Sequence, residues 1–332
     1  MKETVRVYVP GRKQLKIVAI GGGHGLSTML RGLKCHTHKI TAVVTVADDG
    51  GGSGMLREDL GMLPPGDIRN CIMALANTEP TMEKLLNYRF TEGSLAGQSF
   101  GNLFLAAMNG ICGSFDEAVH KAGDVLAITG KVLPVTNQNI HLEAEFDNGG
   151  RCLGESKIFY AKKIYNSRIK QVRLVPEHPQ ALPESVQAIA DADLILIGPG
   201  SLYTSIIPNF LVDGISEAVA KSKALKVLVM NIMTQDGETE GYTGADHVRA
   251  LLSHARPGVV DACICNNRKI PEETLSPYLA EGVAPLQMER EAVEAMGIRV
   301  YEYALSSGTR YIRHDPASLA KAIMEVYDKE KR

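Results

Sequence analysis

The chain has 332 residues, of which 45% are hydrophobic and 22% are charged, so it is long enough to bury a large core. Its 36 Lys and Arg residues nearly balance its 38 Asp and Glu residues, and the net charge of −2 gives no bulk field that would favour nucleic acid as a partner. No apolar run approaches the roughly 20 residues that span a bilayer, and residues 1–16 lack the apolar stretch of a secretory signal, so we expect a cytoplasmic protein without membrane insertion.

Apolar runs of strand length recur along the chain and alternate with stretches whose apolar residues have helical spacing. The runs are apolar throughout, which is typical of parallel strands that are covered on both faces. This order predicts an α/β fold with a doubly wound, mainly parallel sheet. The runs are LKIVAI (15–20), ITAVVTV (40–46), DLILIG (193–198), LKVLVMN (225–231), VVDACIC (259–265) and IRVYEYAL (298–305).

Residues 131–175 break this alternation. IHLEAEF (140–146) alternates apolar and polar residues with a period of two, and DNGG (147–150) supplies a hairpin turn. We therefore predict a small antiparallel β insert at about 131–175. Because no repeat or low-complexity linker interrupts the chain, we predict a single domain over residues 1–332 that carries this insert.

The first strand runs into a glycine-rich turn, IGGGHGLSTML (20–30), at the start of a predicted helix. The unpaired N–H groups at a helix start, together with the helix dipole, attract phosphate, and a hydroxyl residue there can cap the helix. The alternative is a tight turn that binds nothing, in which the histidine packs against the loop or faces solvent. The candidate ligand-binding residues of this turn are Gly22, Gly23, His24, Gly25 and Ser27.

Two common nucleotide-binding patterns do not fit this turn. The dinucleotide fingerprint requires its third glycine at position 26, which is Leu26 here. The P-loop pattern requires a lysine after its last glycine, and no lysine follows. The turn therefore predicts neither an NAD site nor an NTPase site.

The second strand ends in ADDGGGSGMLRED (47–59), which places Asp48 and Asp49 at the carboxyl end of a buried strand, where open α/β sheets bind ligands. Such a pair can accept from ribose hydroxyls or hold a hard cation through oxygen atoms. One aspartate of such a pair often caps a turn or a helix instead. Both are candidate ligand-binding residues.

LPPGDIRNCIMALAN (63–77) begins the next helix, with Asp67 at the expected N-cap position. Asp67 can cap this helix, bind a metal, or do both through different oxygens. Arg69 and Asn70 lie in the first turn, where the helix dipole disfavours a cation, and a bound anion would explain them. We therefore include Arg69 and Asn70 among the candidate ligand-binding residues.

Two later strands also open into polar loops, LILIGPGSLYTSIIPN (194–209) and VLVMNIMTQDGETEGYTGADHV (227–248). Their hydroxyl, amide and backbone groups suit a phosphate or a sugar. Four such loops at strand ends of the same polarity predict one shared site along one edge of the sheet. The candidates from these two loops are Gly200, Ser201, Tyr203, Asn231, Thr234 and Tyr242.

The segments IVAIGGGHGLSTMLRGLK, TAVVTVADDGGGSGMLRE, LPPGDIRNCIMAL, IGPGSLYTSIIPN and NIMTQDGETEGYT, in this order, resemble the gluconeogenesis factor branch of the CofD-like family. The resemblance implies a Rossmann-like three-layer α/β/α fold. It also implies that the protein binds UDP-sugars, notably UDP-N-acetylglucosamine, and supports cell shape and growth on gluconeogenic carbon sources.

The sister branch of this family is enzymatic: it transfers a phospholactyl-type group from a nucleotide-activated donor and uses Mg²⁺ held by aspartates. By resemblance, Asp49 and Asp67 occupy positions similar to those metal-binding aspartates. The chain departs from the sister pattern at GGGSGMLRE (50–58), and this glycine-rich loop argues against transferase chemistry. Two hypotheses stay open: a UDP-sugar-binding regulatory protein without turnover, and a magnesium-dependent transferase.

The residues themselves indicate no catalytic nucleophile or base, so we name no catalytic residue. A uridine nucleotide needs an apolar surface for its base and positive charge for its diphosphate. We predict Tyr278 for the base and Arg313 for the diphosphate, with Arg310 as the competitor of Arg313 and an ordinary half-buried tyrosine as the alternative for Tyr278. A homo-oligomer is a further open alternative, because exposed helices of large α/β sheets often pair.

Overall fold

The computed structural model describes residues 14–307 and 311–331. Its main element is a seven-stranded parallel sheet flanked by helices, and a three-stranded antiparallel sheet lies beside it, which confirms the predicted α/β fold class. The strands of the large sheet are β1 (Ile17–Gly21), β2 (Ile40–Val44), β3 (Lys131–Pro134), β7 (Leu194–Ile197), β8 (Leu225–Val229), β9 (Ala262–Asn266) and β10 (Arg299–Tyr303). The strands of the small sheet are β4 (His141–Phe146), β5 (Arg151–Leu153) and β6 (Ile169–Val175).

The large sheet has the strand order β10-β9-β8-β7-β1-β2-β3. From β1 the chain first winds through β2 to β3 on one side, and it later returns to β7 and winds to β10 on the other side. β1 therefore has β2 and β7 as its two parallel neighbours, with Ile17 opposite both Ile40 and Leu194. The direction of winding reverses between β1 and β7, and ligands of open α/β sheets bind at the carboxyl ends of the strands at such a point.

The central strands are buried on both faces. Every residue of β1, β7 and β8 is buried, as the uninterrupted apolar runs predicted. The antiparallel strand β4 instead alternates buried and half-buried residues, because one of its faces is turned from the core. The core is therefore centred on the strands that bound the point of reversal.

Helices connect the strands. Before the small sheet these are α1 (Gly23–Leu33), α2 (Gly51–Leu60), α3 (Gly66–Leu75), α4 (Pro80–Asn87), α5 (Phe100–Ile111) and α6 (Phe115–Val125), with a short 3₁₀ helix at Gly93–Leu95. From the small sheet onward they are α7 (Glu155–Tyr165), α8 (Pro183–Ala190), α9 (Ile207–Phe210), α10 (Ile215–Lys221), α11 (Gly244–Ser253), α12 (Glu272–Ala280), α13 (Arg290–Glu294) and α14 (Pro316–Glu330), with a π-helical turn at Leu202–Ile206. Within the described ranges, no helix combines the length and the apolar composition that crossing a bilayer requires.

The structure moves the start of the predicted insert. Residues 131–134 pair in parallel with β2 and form the edge of the large sheet, so the antiparallel part begins only at His141. The short run KVLP has too few residues for its periodicity to separate a parallel edge strand from an antiparallel one. The remainder of the predicted segment forms the small sheet, and α7 lies between β5 and β6.

Candidate functional site

The loops that follow β1, β2, β7 and β8 meet at the carboxyl edge of the sheet and enclose a cavity of about 480 Å³. The cavity lies at the point where the winding reverses, and residues 312–314 close one side of it. Ten of the predicted site residues line it: Gly23, His24, Gly25, Asp48, Asp67, Gly200, Ser201, Asn231, Thr234 and Arg313.

The glycines after β1 permit close contacts that a side chain would block. A Cβ at Gly25 would lie 2.5 Å from the carbonyl oxygen of Pro199, so the turns after β1 and β7 touch through their backbones. A Cβ at Gly22 would lie 2.5 Å from Oδ2 of Asp67. Gly23 has a φ of +68°, in the left-handed region that favours glycine. These glycines bring three segments of the site together.

The hydroxyl of Ser27 does not cap helix α1. Gly22 is the N-cap of α1, and the Ser27 hydroxyl donates to the carbonyl oxygen of His24 at 3.0 Å inside the helix. Ser27 is buried and lies outside the cavity lining, whereas His24 lines it. Burial and the positive charge of Arg313 lower the pKa of His24, so its imidazole is neutral near pH 7.

The two adjacent aspartates have different partners. Asp49 accepts the backbone N–H groups of Glu155 at 3.1 Å and Ser156 at 2.8 Å, and so caps the start of α7. Asp48 accepts the N–H of Gly50 at 2.9 Å and lines the cavity. Burial raises the pKa of Asp48 above its usual range. The structure thus places Asp48, and not Asp49, in the cavity lining.

Asp67 lies inside the first turn of α3, since that helix begins at Gly66 with Pro65 as its N-cap. Its carboxyl group accepts the N–H of Gly23 at the start of α1. Burial, followed by the nearby carboxylate of Asp48, raises the pKa of Asp67 to about 7. Asp67 therefore joins two helix starts at the floor of the cavity instead of capping its own helix.

Mg²⁺ is the ion that the family resemblance implies, with Asp49 and Asp67 as its ligands; of these two only Asp67 lines the cavity, where Asp48 is the second aspartate. In the part of the chain that the structure describes, no group of three or more His, Cys, Asp or Glu could hold a metal ion. Mg²⁺ is often bound by only one or two carboxylates together with substrate phosphate. The donor set therefore fits Mg²⁺ only in company with a phosphorylated ligand.

Arg69 and Asn70 are hydrogen-bonded to each other, and Arg69 is also bonded to the start of α5. Arg69 donates to the hydroxyl of Ser99, to Oδ1 of Asn102 at 3.1 Å and to Oδ1 of Asn70 at 2.9 Å. Arg69 and Asn70 are outside the cavity lining. The hydrogen bonds of Arg69 connect α3 to the start of α5.

Tyr203 and Tyr242 also lie outside the cavity lining. Their hydroxyls are hydrogen-bonded to each other at 2.9 Å, and both side chains are buried. The π-helical turn at Leu202–Ile206 instead places Thr204 and Ser205 in the lining. Both were visible in the sequence as hydroxyl donors, but a π turn shifts the angular position of each side chain and has no sequence signature.

The loop after β8 is held by side chains that bond to backbone. Asn231 is hydrogen-bonded to both backbone groups of Gly200: its Oδ1 accepts the Gly200 N–H at 3.2 Å, and its Nδ2 donates to the Gly200 carbonyl at 2.8 Å. The Thr234 hydroxyl accepts the N–H of Ala284 at 2.9 Å. Asn231 and Thr234 therefore shape the cavity wall through backbone groups.

Tyr278 is half-buried and lies behind the cavity: its hydroxyl accepts the N–H of Ile312 at 3.2 Å, and Ile312 lines the cavity. Arg313 is exposed and lines the cavity directly, and the Cζ atom of its guanidinium lies 5.7 Å from the ring centre of Tyr311. Arg310, the competing candidate, lies outside the described residues. The structure thus places Arg313 in the cavity lining, whereas Tyr278 contacts the lining residue Ile312 and does not line the cavity itself.

Sequence reasoning did not select Glu155, which lines the cavity from the start of α7. Burial, followed by the Asp48 carboxylate, raises the pKa of Glu155 to about 8. Glu155 lies about a hundred residues after the aspartates in the sequence, and only the packing of the small sheet brings it to the cavity. No local pattern marks it.

The buried Glu238 is hydrogen-bonded to the π-helical turn at Leu202–Ile206, and its titration can be tested through the pH dependence of stability. Its Oε1 accepts the Thr204 hydroxyl at 2.7 Å and its Oε2 accepts the Tyr203 N–H at 3.3 Å, and burial raises its pKa from 4.5 to about 7. The folded state thus holds this proton more tightly than the unfolded chain, so the stability it contributes is complete below about pH 4.5 and is lost as the pH rises through about 7. We expect Glu238→Gln to reduce this loss of unfolding free energy with rising pH. The loss amounts to about 1.4 kcal/mol per unit of difference between the pKa of the folded and the unfolded state.

The measurement is the free energy of unfolding by urea at several pH values between about 5 and 8. The exposed Glu281 supplies the control, since Glu281→Gln should leave the pH dependence of the wild type unchanged. A constant difference between Glu238→Gln and wild type over this range would contradict the assignment.

Comparison with known proteins places the cavity in context. Residues 17–306 match the family described as 2-phospho-L-lactate transferase CofD. A Thermoanaerobacterium thermosulfurigenes protein, provisionally named a gluconeogenesis factor, is 57% identical over 314 residues, 94% of this chain and 97% of that protein. The gluconeogenesis factor of Bacillus subtilis is 47% identical over 313 residues, 94% of this chain and 98% of that protein. A crystal structure of a Bacillus halodurans member of the UPF0052 family has a TM-score of 0.90 at 42% identity and covers 95% of this chain and 100% of that chain.

Proposed function

The chain belongs to the CofD family, in its gluconeogenesis factor branch, and we propose that it is a cytoplasmic regulatory protein that binds UDP-sugars, notably UDP-N-acetylglucosamine. In this proposal the bound nucleotide sugar is a signal and is not converted. The regulated processes are growth on gluconeogenic carbon sources and cell shape. The names of the relatives support the first of these processes.

The observation that carries the proposal is the cavity at the reversal of the sheet. Its volume of about 480 Å³ is within the ordinary range of small-molecule sites. The start of α1 and the hydroxyls of Ser201, Thr204 and Ser205 supply donors for phosphate, and Arg313 supplies positive charge. This combination suits a diphosphate.

The rest of the cavity suits the neutral parts of a nucleotide sugar. Ile232, Met233 and Ile312 line it with apolar surface against which a base can pack. Asp48 and Gln235 offer acceptors for ribose or sugar hydroxyls. A ligand that joins a base, a diphosphate and a sugar therefore finds a complementary group for each part.

The residues favour binding over turnover. Among the described residues that line the cavity, no Ser or Thr hydroxyl is hydrogen-bonded to the ring of His24 or His314. Burial lowers the pKa of His314 to about 4, so its ring is neutral. An activated nucleophile normally needs such a hydroxyl and base pair.

The alternative is a magnesium-dependent transferase that moves a phospholactyl-type group from a nucleotide-activated donor. The observation that favours it is the pair of carboxyl groups from Asp48 and Asp67 beside the phosphate donors. Mg²⁺ held there with ligand phosphate would neutralise charge at that phosphate. Asp48 and Asp67 would orient the ligand, and the turns after β1 and β7 would exclude water from it.

Thermal unfolding tests the proposal. We expect UDP-N-acetylglucosamine to raise the melting temperature, because a ligand that binds only the folded state adds about 2.7 kcal/mol at a hundredfold excess over its Kd. Guanine nucleotides serve as the matched control and should have little effect. A shift by guanine nucleotides without one by UDP-sugars would refute the proposal.

Product analysis separates the two hypotheses. The regulatory protein returns UDP-N-acetylglucosamine intact after incubation with Mg²⁺. The transferase forms a new product from a nucleotide-activated donor and an acceptor, and Asp67→Asn abolishes that product while the variant stays folded. Detection of such a product in the wild type alone would replace the first hypothesis by the second.

A further inference from the structure

The loop after β8 folds into a compact turn at residues 235–240, which we call the 235–240 turn. The N–H of Gln235 donates to Oγ1 of Thr239 at 3.0 Å, and the N–H of Thr239 donates to the carbonyl oxygen of Gln235 at 2.9 Å. The N–H of Gly237 donates to Oε1 of Glu240 at 2.6 Å. Because these local bonds close the turn on itself, its place beside the cavity depends on what holds it from outside.

Helix α7 holds the outer side of the 235–240 turn through an aromatic ring. Gly237 has a φ of +76°, in the left-handed region that favours glycine, and a Cβ there would overlap Cδ2 of Phe159. The ring of Phe159 therefore lies directly against the glycine. Phe159 is 37% exposed and lies outside the hydrophobic core, so this contact is made at the surface of the fold.

Ion pairs between α7 and the turn lie beside this contact. Nζ of Lys163 lies 2.7 Å from Oδ2 of Asp236, and Nζ of Lys162 lies 2.5 Å from Oε2 of Glu240. Nζ of Lys163 also lies 4.2 Å from the ring centre of Phe159. Ion pairs near a protein surface contribute little to stability, so we assign most of the attachment to the apolar contact of the ring.

The inner side of the 235–240 turn faces the cavity. Gln235 lines the cavity. Oε1 of Glu238 accepts the hydroxyl of Thr204 at 2.7 Å, and Thr204 also lines the cavity. A shift of the turn would therefore displace lining groups from two loops, the one after β7 and the one after β8.

Helix α7 also meets the loop after β2. Its first residue, Glu155, lines the cavity, and the N–H of Glu155 donates to Oδ2 of Asp49 at 3.1 Å. Asp49 adjoins the lining residue Asp48. The helix thus contacts the loop after β2 at its start and the 235–240 turn along its side, and through Glu238 it is connected to the loop after β7. One helix of the insert therefore connects three of the four loops that enclose the cavity.

We propose that α7 sets the relative position of these loops for ligand binding, and that Phe159 is a positioning residue that acts through Gly237. The inference rests on the proposed function, since UDP-N-acetylglucosamine is the ligand concerned. Phe159 lies outside the cavity lining, so it acts without touching the ligand. With the ring in place, Gln235 and the Thr204 hydroxyl are held where the ligand meets them. Without it, the ligand must order the turn as it binds, and this ordering reduces the affinity.

Isothermal titration calorimetry with UDP-N-acetylglucosamine tests the inference. We expect Phe159→Ala to raise the Kd about tenfold, because part of the binding free energy is then used to order the turn. Ile164→Ala is the matched control: Ile164 is an apolar residue of the same helix, is 79% exposed and lies outside the cavity lining, so its variant should bind like the wild type. Urea unfolding verifies that both variants are folded.

A double-mutant cycle separates positioning from a general loss of structure. Gly237→Ala places a Cβ against the ring of Phe159 and should also raise the Kd. The three atoms nearest to that Cβ all belong to Phe159, so adding Gly237→Ala to Phe159→Ala should raise the Kd by a smaller factor than adding it to the wild type. Equal factors in the two backgrounds would show that the two residues act separately and would overturn the proposed route.

Hydrogen exchange of the unliganded protein supplies a readout that needs no ligand. The backbone N–H groups of the 235–240 turn should exchange faster in Phe159→Ala than in the wild type or in Ile164→Ala, because the ring no longer holds the turn. A wild type that does not bind UDP-N-acetylglucosamine would refute the proposed function and this inference with it. If the wild type binds and Phe159→Ala binds equally well, or exchange in the turn is unchanged, the inference alone is overturned.

Discussion

Arg313→Ala is expected to lower the affinity for UDP-N-acetylglucosamine about a hundredfold. Arg313 lines the same cavity as the candidate phosphate donors of the turns after β1 and β7. Charge-assisted bonds from a guanidinium to phosphate are among the stronger hydrogen bonds, and a hydrogen bond to a charged group contributes about 1.5–3 kcal/mol. Since about 1.4 kcal/mol corresponds to a factor of ten, a hundredfold loss lies in this range.

Isothermal titration calorimetry measures this affinity, with Arg256→Ala as the control. Arg256 is also exposed but lies after α11, outside the cavity lining, so its variant should bind like the wild type. A second readout needs no ligand: the positive charge of Arg313 contributes to the lowered pKa of His24, so Arg313→Ala should raise that pKa in NMR titrations. Unchanged affinity in Arg313→Ala would show that the diphosphate lies elsewhere.

Gly25→Ala is expected to destabilise the fold by about 2 kcal/mol and to weaken ligand binding with it. Alanine is favoured over glycine inside a helix by about 1 kcal/mol, so propensity alone predicts a more stable variant. The new Cβ, however, would lie 2.5 Å from the oxygen and 2.8 Å from the carbon of the Pro199 carbonyl, and both are backbone atoms. Forced shifts in a packed interior cost about 1–3 kcal/mol or more, and here they also displace the cavity wall at Gly200.

Gly21→Ala is the control for this steric argument. A Cβ at Gly21 would meet its nearest neighbours at 3.7 Å, which is ordinary van der Waals contact, although Gly21 is buried in the adjoining strand. Urea unfolding of the two variants should separate them, with only Gly25→Ala below the wild type. Equal stabilities for both variants would mean that the backbone at Pro199 can shift away from the new Cβ at little cost in free energy.

Much of the fold could be predicted from the sequence because its signals are local. Uninterrupted apolar runs at 15–20 and 193–198 predicted β1 and β7, and the two strands lie side by side at the centre of the sheet. The period of two at 140–146 predicted β4 of the small sheet. The run at 131–134 was too short to carry either signal, and it was assigned to the wrong sheet.

The candidate site was predictable at the level of loops but not at the level of side chains. The four polar loops do meet, since parallel strands end at the same edge. Within them, adjacent residues point to different partners: Asp48 faces the cavity while Asp49 caps α7, and Thr204 faces it while Tyr203 packs in the core. Residue types alone do not predict which of two adjacent side chains points into the cavity.

The sequence by itself determined the α/β class, the strands at the centre of the sheet, and the glycine turns at their carboxyl ends, because propensity, periodicity and turn chemistry act over a few neighbouring residues. Only the tertiary structure decided which polar groups face the cavity. Asp49 meets its partners 106 and 107 residues further along the chain, and Arg69 meets Ser99 after 30. A buried polar group takes whichever partner packing brings within hydrogen-bond distance, and that partner is set by the fold as a whole.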